Sequence, residues 1–213
     1  MGLTLYYLPE GPPSRGVLFL IRYLNLDVEL KLCRTYMEEH KDPNYMKMNP
    51  CHTVPVLVDG DLVLIDSQAI GIYLIEQYGS KSNLFGADVK ERALINQRLF
   101  FNSNLFDEVK HLVAPIIYEG QKKLDDKQLA KVMEMIGFME TFLEKSTFIA
   151  LDKVTVADMY LVNNILSFLH LGFDFSKFKK ILAWVDRMRP LTGFKECDDG
   201  AIALSKLVLP KLQ

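Results

Sequence analysis

The residues best placed to do chemistry in this 213-residue chain lie between Asn49 and Ile70, in the run NPCHTVPVLVDGDLVLIDSQAI. The Val54-Pro55 step precedes a strand signal. A proline has no N–H for a ladder, so Val54 is left with unpaired backbone groups that suit an extended peptide laid alongside. Asp66-Ser67 stands where a helix N-cap belongs, with free N–H groups directed outward. The same pair is also an ordinary helix cap, and His40 and His52 also read as solvated loop residues. Cys33, Cys51 and Cys197 are an odd set without CxxC or metal-ligand spacing. They suit a reducing compartment, so the cytosol is expected and no metal is implied.

The elements that must position these residues come in two styles. Residues 3–8 (LTLYYL) read as a strand, and PEGPP breaks it. Val17, Leu18, Ile21 and Leu24 recur at helix spacing over residues 14–24, and a second strand spans 28–32. That is a crossover unit with parallel strands. Residues 36–45 are polar and read as a loop with a short helix before Asn49. Asp59-Gly60 between two β-rich runs (56–58 and 62–65) is a tight hairpin, followed by a helix over 67–78. Residues 79–88 (GSKSNLFGAD) are turn-rich, and after them the strand signals stop.

Helical patterns then cover 89–118, with Pro115 expected to bend or end the helix, and 127–143. Thr155 and Asp158 form a capping box, with Val154 and Met159 in the staple positions, for a helix that runs to residue 171. The last two candidates are 178–188, with the lone Trp184, and 193–207. The expected class is therefore α/β plus all-α: βαβαββα, then helices.

Bulk properties narrow the function. The chain is 49% hydrophobic and 24% charged with net charge -2, ordinary for a globular protein that buries a real core. Nothing in that balance calls for nucleic acid or an acidic membrane. Residues 1–8 lack the basic region of a signal peptide, Tyr6 breaks the myristoylation pattern, and no apolar run approaches a membrane span.

Together these features resemble a cytosolic glutathione transferase of the insect delta/epsilon branch. The resemblance is carried by LYYLPEGPPSR, Glu38–His40 (EEH), NPCHTVPVL, DSQAI and INQRLFFN, in order and over the whole chain. It implies a thioredoxin-like, glutathione-binding domain over 1–80, a linker at 81–88 and an all-helical domain over 89–213. It implies a cis Val54-Pro55 bond and backbone pairing of Val54 with the cysteinyl unit of glutathione. Asp66 and Ser67 would hold the γ-glutamyl end, and His40 and His52 would face the glycyl carboxylate. Pro13, Thr53, Pro55, Gln68 and Asn102 complete the implied glutathione contacts.

One departure bears on the chemistry. Four residues before Arg15 the branch carries a serine whose hydroxyl bonds the glutathione sulfur; here that residue is Gly11. The family's Glu-Ser-Arg is Asp66-Ser67-Gln68, and its aspartate is Asn102, so an arginine–aspartate pair becomes two neutral amides. A matched loss of charge is expected where an unpaired buried charge would be costly. Lowering a thiol pKa by about two units takes roughly 2.7 kcal/mol. A helix dipole supplies about 0.3–2, and a charge-assisted hydrogen bond about 1.5–3. Ser14, in the first turn, is the first candidate for the missing donor; its alternative is bonding to nearby backbone. Tyr7, where other classes carry a catalytic tyrosine, is the second; its alternative is a core aromatic.

By the same resemblance Phe106, Val109, Ala114, Ile117 and Tyr118, with Leu207 or Leu209 nearby, would line the site for a hydrophobic electrophile. Phe100 falls at the family's two-fold interface, so a homodimer is expected. The function implied is conjugation of the glutathione thiolate to small hydrophobic electrophiles. The rival is a weakly active carrier of hydrophobic ligands, favoured by Gly11, Gln68 and Asn102. A structural module of the kind fused to translation factors is disfavoured, because the glutathione-side motifs are largely intact.

Overall fold

A computed structural model describes residues 2–213. The first strand, β1 (Leu3–Tyr7), turns Leu3 and Leu5 inward. The following helix, α1 (Pro12–Tyr23), starts two residues earlier than its apolar spacing suggests, on Pro12 and Pro13. Proline is tolerated there because the first turn has no intrahelical partner for its missing N–H. Strand β2 (Val28–Leu32) returns parallel to β1, with Leu3 opposite Val28. The polar stretch that follows makes two 3-10 turns (Thr35–Met37 and Glu39–Lys41) and the short helix α2 (Pro43–Met48), capped by Asp42. Strands β3 (Val56–Asp59) and β4 (Leu62–Ile65) form the hairpin, with Gly60 at φ +62° supplying the turn. The sheet order is β2-β1-β3-β4, with β3 antiparallel to β1. Helix α3 (Ser67–Tyr78) closes this half.

Five helices follow: α4 (Val89–Tyr118), α5 (Asp126–Leu143), α6 (Val156–His170), α7 (Lys179–Met188) and α8 (Phe194–Val208). Helix α4 has the expected bounds, and of the two outcomes open for Pro115, bending or ending the helix, it does not end it. The helix continues one turn beyond it to Tyr118, because Pro115 loses only its own donor and its carbonyl still accepts from Glu119 and Gln121. The turn-rich stretch before α4 is no loose tether: Leu84 is buried, and its carbonyl accepts from Val156 N–H.

The capping box at the start of α6 forms, and it does more than cap. The buried Asp158 carboxylate accepts from the N–H groups of Ile149 and Thr155, the Thr155 hydroxyl and Trp184 Nε1, at 2.7–2.8 Å. Burial pushes its pKa up, and the four donors oppose that shift.

Helix α6 docks on the sheet half through Tyr160. A Cβ at Gly16 of α1 would lie 2.4 Å from the Tyr160 ring, and one at Gly71 of α3 would lie 2.5 Å from its hydroxyl, so the ring fills a notch that only glycines leave. Beside it Arg15 is fully buried. It donates to the carbonyls of Cys197 and Asn163 at 3.1 Å and to Ser167 Oγ. Among the described residues no carboxylate bonds it, and desolvation lowers its pKa to about 10.

Candidate functional site

Three segments converge at the carboxyl end of β1: the β1–α1 turn, the Thr53–Pro55 corner and the start of α3. At the corner, Val54-Pro55 is cis. The Thr53 carbonyl accepts from Tyr45 Oη at 2.6 Å and from Asn49 Nδ2 at 2.9 Å, which fixes the approach to the bond. The N–H and C=O of Val54 carry no bond among the described residues, and β3 begins only at Val56. A half-buried residue with both backbone groups free is an edge open to another main chain.

At the start of α3, Asp66 has φ +70° and ψ 117°, a sparsely populated conformation for a residue with a Cβ. Its Oδ1 caps the helix by accepting from Gln68 and Ala69 N–H at 2.9 and 3.0 Å. Cap and binding roles are therefore compatible, since Oδ2 bonds nothing among the described residues. The Ser67 hydroxyl has no partner among the described residues and is not sealed from solvent. The Ser67 carbonyl accepts from Tyr160 Oη, tying this corner to α6.

Gln68 and Asn102 do not bond each other, which corrects the expected polar pair. Gln68 Nε2 donates to Ser103 Oγ, and Asn102 Oδ1 accepts from Asn164 Nδ2 at 2.9 Å. Both amides are nearly buried, and each found a partner one step away.

The β1–α1 turn is the part that differs most from its reading in the sequence. Ser14 is fully buried, and its Oγ accepts from Leu8 N–H at 3.1 Å. This is the backbone bond given above as the alternative, and it uses Oγ as acceptor, leaving the O–H its donor capacity. Tyr7 is half-buried against the main core. Burial, then the charge of Glu196, raises its pKa. Gly11 is the N-cap of α1 at φ −82° and offers no side-chain bond. With proline at the next two positions, Ser14 supplies the only backbone N–H among the first three residues of the helix. The half-exposed Pro13 lies at this rim.

His40 and His52 stand with ring centroids 6.0 Å apart. His40 Nδ1 is buried without a partner, and desolvation, Lys41 and His52 together lower its pKa. Arg34 closes the loop beneath, its N–H and guanidinium both held by Glu39.

In the helical half, Phe106, Ala114, Ile117 and Tyr118 keep part of their surface accessible, as do Leu207 and Leu209. Val109 is 4% exposed within the main core, so it supports the wall from behind. Tyr118 Oη lies 2.7 Å from Thr35 Oγ1, and Tyr36 Oη is within 3.5 Å of Glu10 Oε1. The loop after β2 thus touches both the β1–α1 turn and the end of α4. Sequence reasoning missed Tyr160, Ser103, Asn164 and Thr35. The available signal was Gly16 and Gly71 inside helices, where glycine costs about 1 kcal/mol without a packing reason.

Comparison with known proteins decides what this arrangement belongs to. Residues 5–82 match the family description "Glutathione S-transferase, N-terminal domain", and residues 93–191 match "Glutathione S-transferase, C-terminal domain". The chain belongs to the glutathione S-transferase family. Among its relatives is glutathione S-transferase D7 of Drosophila melanogaster, 34% identical over 212 residues, covering 99% of this chain and 95% of that protein. The unclassified glutathione S-transferase 2 of Bombyx mori superposes with TM-score 0.94 at 31% identity over 100% of both chains. A glutathione transferase homologue of Drosophila mojavensis, solved with bound glutathione, gives 0.95 at 31% identity over 99% of this chain and 98% of that one. A delta-class transferase of Nilaparvata lugens gives 0.92 at 33% identity, over 98% and 99%. No helix among the described residues of this family member is long and apolar enough to cross a membrane.

Proposed function

We propose that this protein binds glutathione and conjugates its thiolate to small hydrophobic electrophiles. The observation that carries the reading is the open backbone edge at Val54, flanked by the starts of α1 and α3. In this reading Val54 pairs with the cysteinyl unit, and Pro55 and Thr53 hold that edge in place. The Ser67 hydroxyl and N–H receive the γ-glutamyl carboxylate, and the free oxygen of Asp66 receives its ammonium. His40 and His52 face the glycyl carboxylate, and Pro13 borders the sulfur.

The thiol loses its proton to solvent, a carbon–sulfur bond forms, and the leaving group departs with the displaced electron pair. The protein contributes orientation and a lowered thiol pKa, with no covalent intermediate. The electrophile rests on Phe106, Ala114, Ile117 and Tyr118. Residues 1–80 then form the glutathione domain and 89–213 carry the electrophile wall. Phe100, 71% exposed on α4, supports an isologous homodimer, and three free cysteines suit the cytosol.

Calorimetric titration with glutathione and with S-hexylglutathione tests the binding part. One site per chain, weakened at least tenfold by Ser67→Ala, is expected. No heat of binding with either ligand would overturn it.

A further inference from the structure

Between α6, α7 and α8 the helical domain holds a cleft of about 360 Å³, within the range of small-ligand sites. Leu166 and Leu169 of α6 and Leu182 and Val185 of α7 give it an aliphatic lining. Into this lining α6 places one imidazole, His170, whose Nε2 is 2.7 Å from Asp198 Oδ1 on α8. In the tautomer whose Nε2–H donates to this carboxylate, the lone pair lies on Nδ1, which can accept a hydrogen bond. Nδ1 has no partner among the described residues and is not sealed from solvent. The remaining charges at the rim, Asp186 and Arg189, satisfy each other at 2.9 Å.

The cleft is separate from the glutathione site. His170 ends α6 nearly three turns beyond Tyr160, about 15 Å along the axis from the residue that touches Ser67.

We propose that this cleft is a second ligand site, for a small apolar molecule bearing one hydroxyl or N–H donor. The donor bonds His170 Nδ1 while the hydrocarbon body covers the aliphatic lining. An anion does not suit the site, because two carboxylates face it against one guanidinium. A purely apolar molecule suits it poorly, because it would leave the imidazole acceptor desolvated and unpaired.

The test is calorimetric titration of the full chain, saturated with S-hexylglutathione, with β-naphthol and with its methyl ether, which has the same body but no donor. Naphthol is expected to bind despite the conjugate, and the ether about fivefold to tenfold more weakly, the worth of one neutral hydrogen bond. His170→Phe should abolish that difference while conjugation of a chloronitrobenzene proceeds at the wild-type rate. Competition of all naphthol binding by S-hexylglutathione would overturn the proposal. So would equal affinities in the wild type, or a difference that survives in the variant. The naphthol-to-ether ratio can also be read without the blocking conjugate, so failure of the glutathione reading leaves this test intact.

Discussion

The hydroxyl of Tyr160 donates to the carbonyl of Ser67, so a core residue of α6 holds the first residue of α3, where the γ-glutamyl end of glutathione is proposed to sit. The ring reaches that position through the notch left by Gly16 and Gly71. The two halves of the molecule are therefore coupled at the site itself.

Tyr160→Phe keeps the ring and removes one buried hydrogen bond, so urea unfolding should show a loss of about 1 kcal/mol and glutathione binding should weaken modestly. Gly71→Ala places a methyl against the hydroxyl and should cost about 1–3 kcal/mol by overpacking. An alanine at residue 71 that leaves both stability and glutathione affinity unchanged would remove the notch from the account.

Gly11→Ser should raise turnover. The N-cap has φ −82°, open to any residue, and a Cβ there meets Leu8 O at 3.4 Å and Leu8 Cβ and Cδ2 at 3.8 Å, ordinary contacts. The new hydroxyl lies at the start of α1, where proline has removed two N–H donors. A charge-assisted bond of about 1.5–3 kcal/mol should lower the bound thiol pKa by about one to two units. Stopped-flow turnover below the thiol pKa should rise about tenfold or more. Unchanged turnover with an unchanged thiol pKa would mean that the sulfur lies elsewhere. Ser14→Ala, by contrast, should act mainly on stability, because its oxygen serves Leu8 N–H.

Much of this arrangement was legible in the sequence, and the exceptions share a cause. The hairpin, the Thr155–Asp158 box and the amphipathic helices follow from local pattern, and the structure reproduces each within a residue or two. Whether Pro115 ends its helix depends on how much helix remains beyond it, here a single turn. Gln68 and Asn102 were joined by analogy, and no spacing could reveal that Ser103 and Asn164 stand nearer. The orientation of Ser14 depends on the path of Leu8, a property of the turn and not of the helix.

The two amides make a charge-swap test. Asn102→Asp puts a carboxylate in a site 4% exposed, with only Asn164 to bond it, and should destabilise by about 2–4 kcal/mol. Gln68→Arg, one residue's reach away, should recover part of that loss in the double variant. A thermodynamic cycle with no interaction energy would show that the two positions do not meet.

Binding of S-methylglutathione, which has no titrating thiol, should tighten as pH falls. Burial, Lys41 and His52 hold the His40 pKa below its ordinary value in the free protein. A glycyl carboxylate favours the protonated ring and raises that pKa on binding. The bound state then takes up a proton, so affinity gains as pH falls from the bound pKa to the free one and is level below both. His40→Gln should flatten the profile. An equally steep slope in that variant would assign the proton elsewhere.

The central claim is that this family member ionises the glutathione thiol well enough to conjugate it, despite Gly11 and the two prolines. The most direct measurement is the pH dependence of thiolate absorbance for glutathione bound to the wild-type protein, alongside turnover of a chloronitrobenzene. The account predicts a thiol pKa below that of free glutathione and measurable turnover that follows the same titration. Tight binding with an unshifted pKa and no turnover above the uncatalysed rate would contradict it.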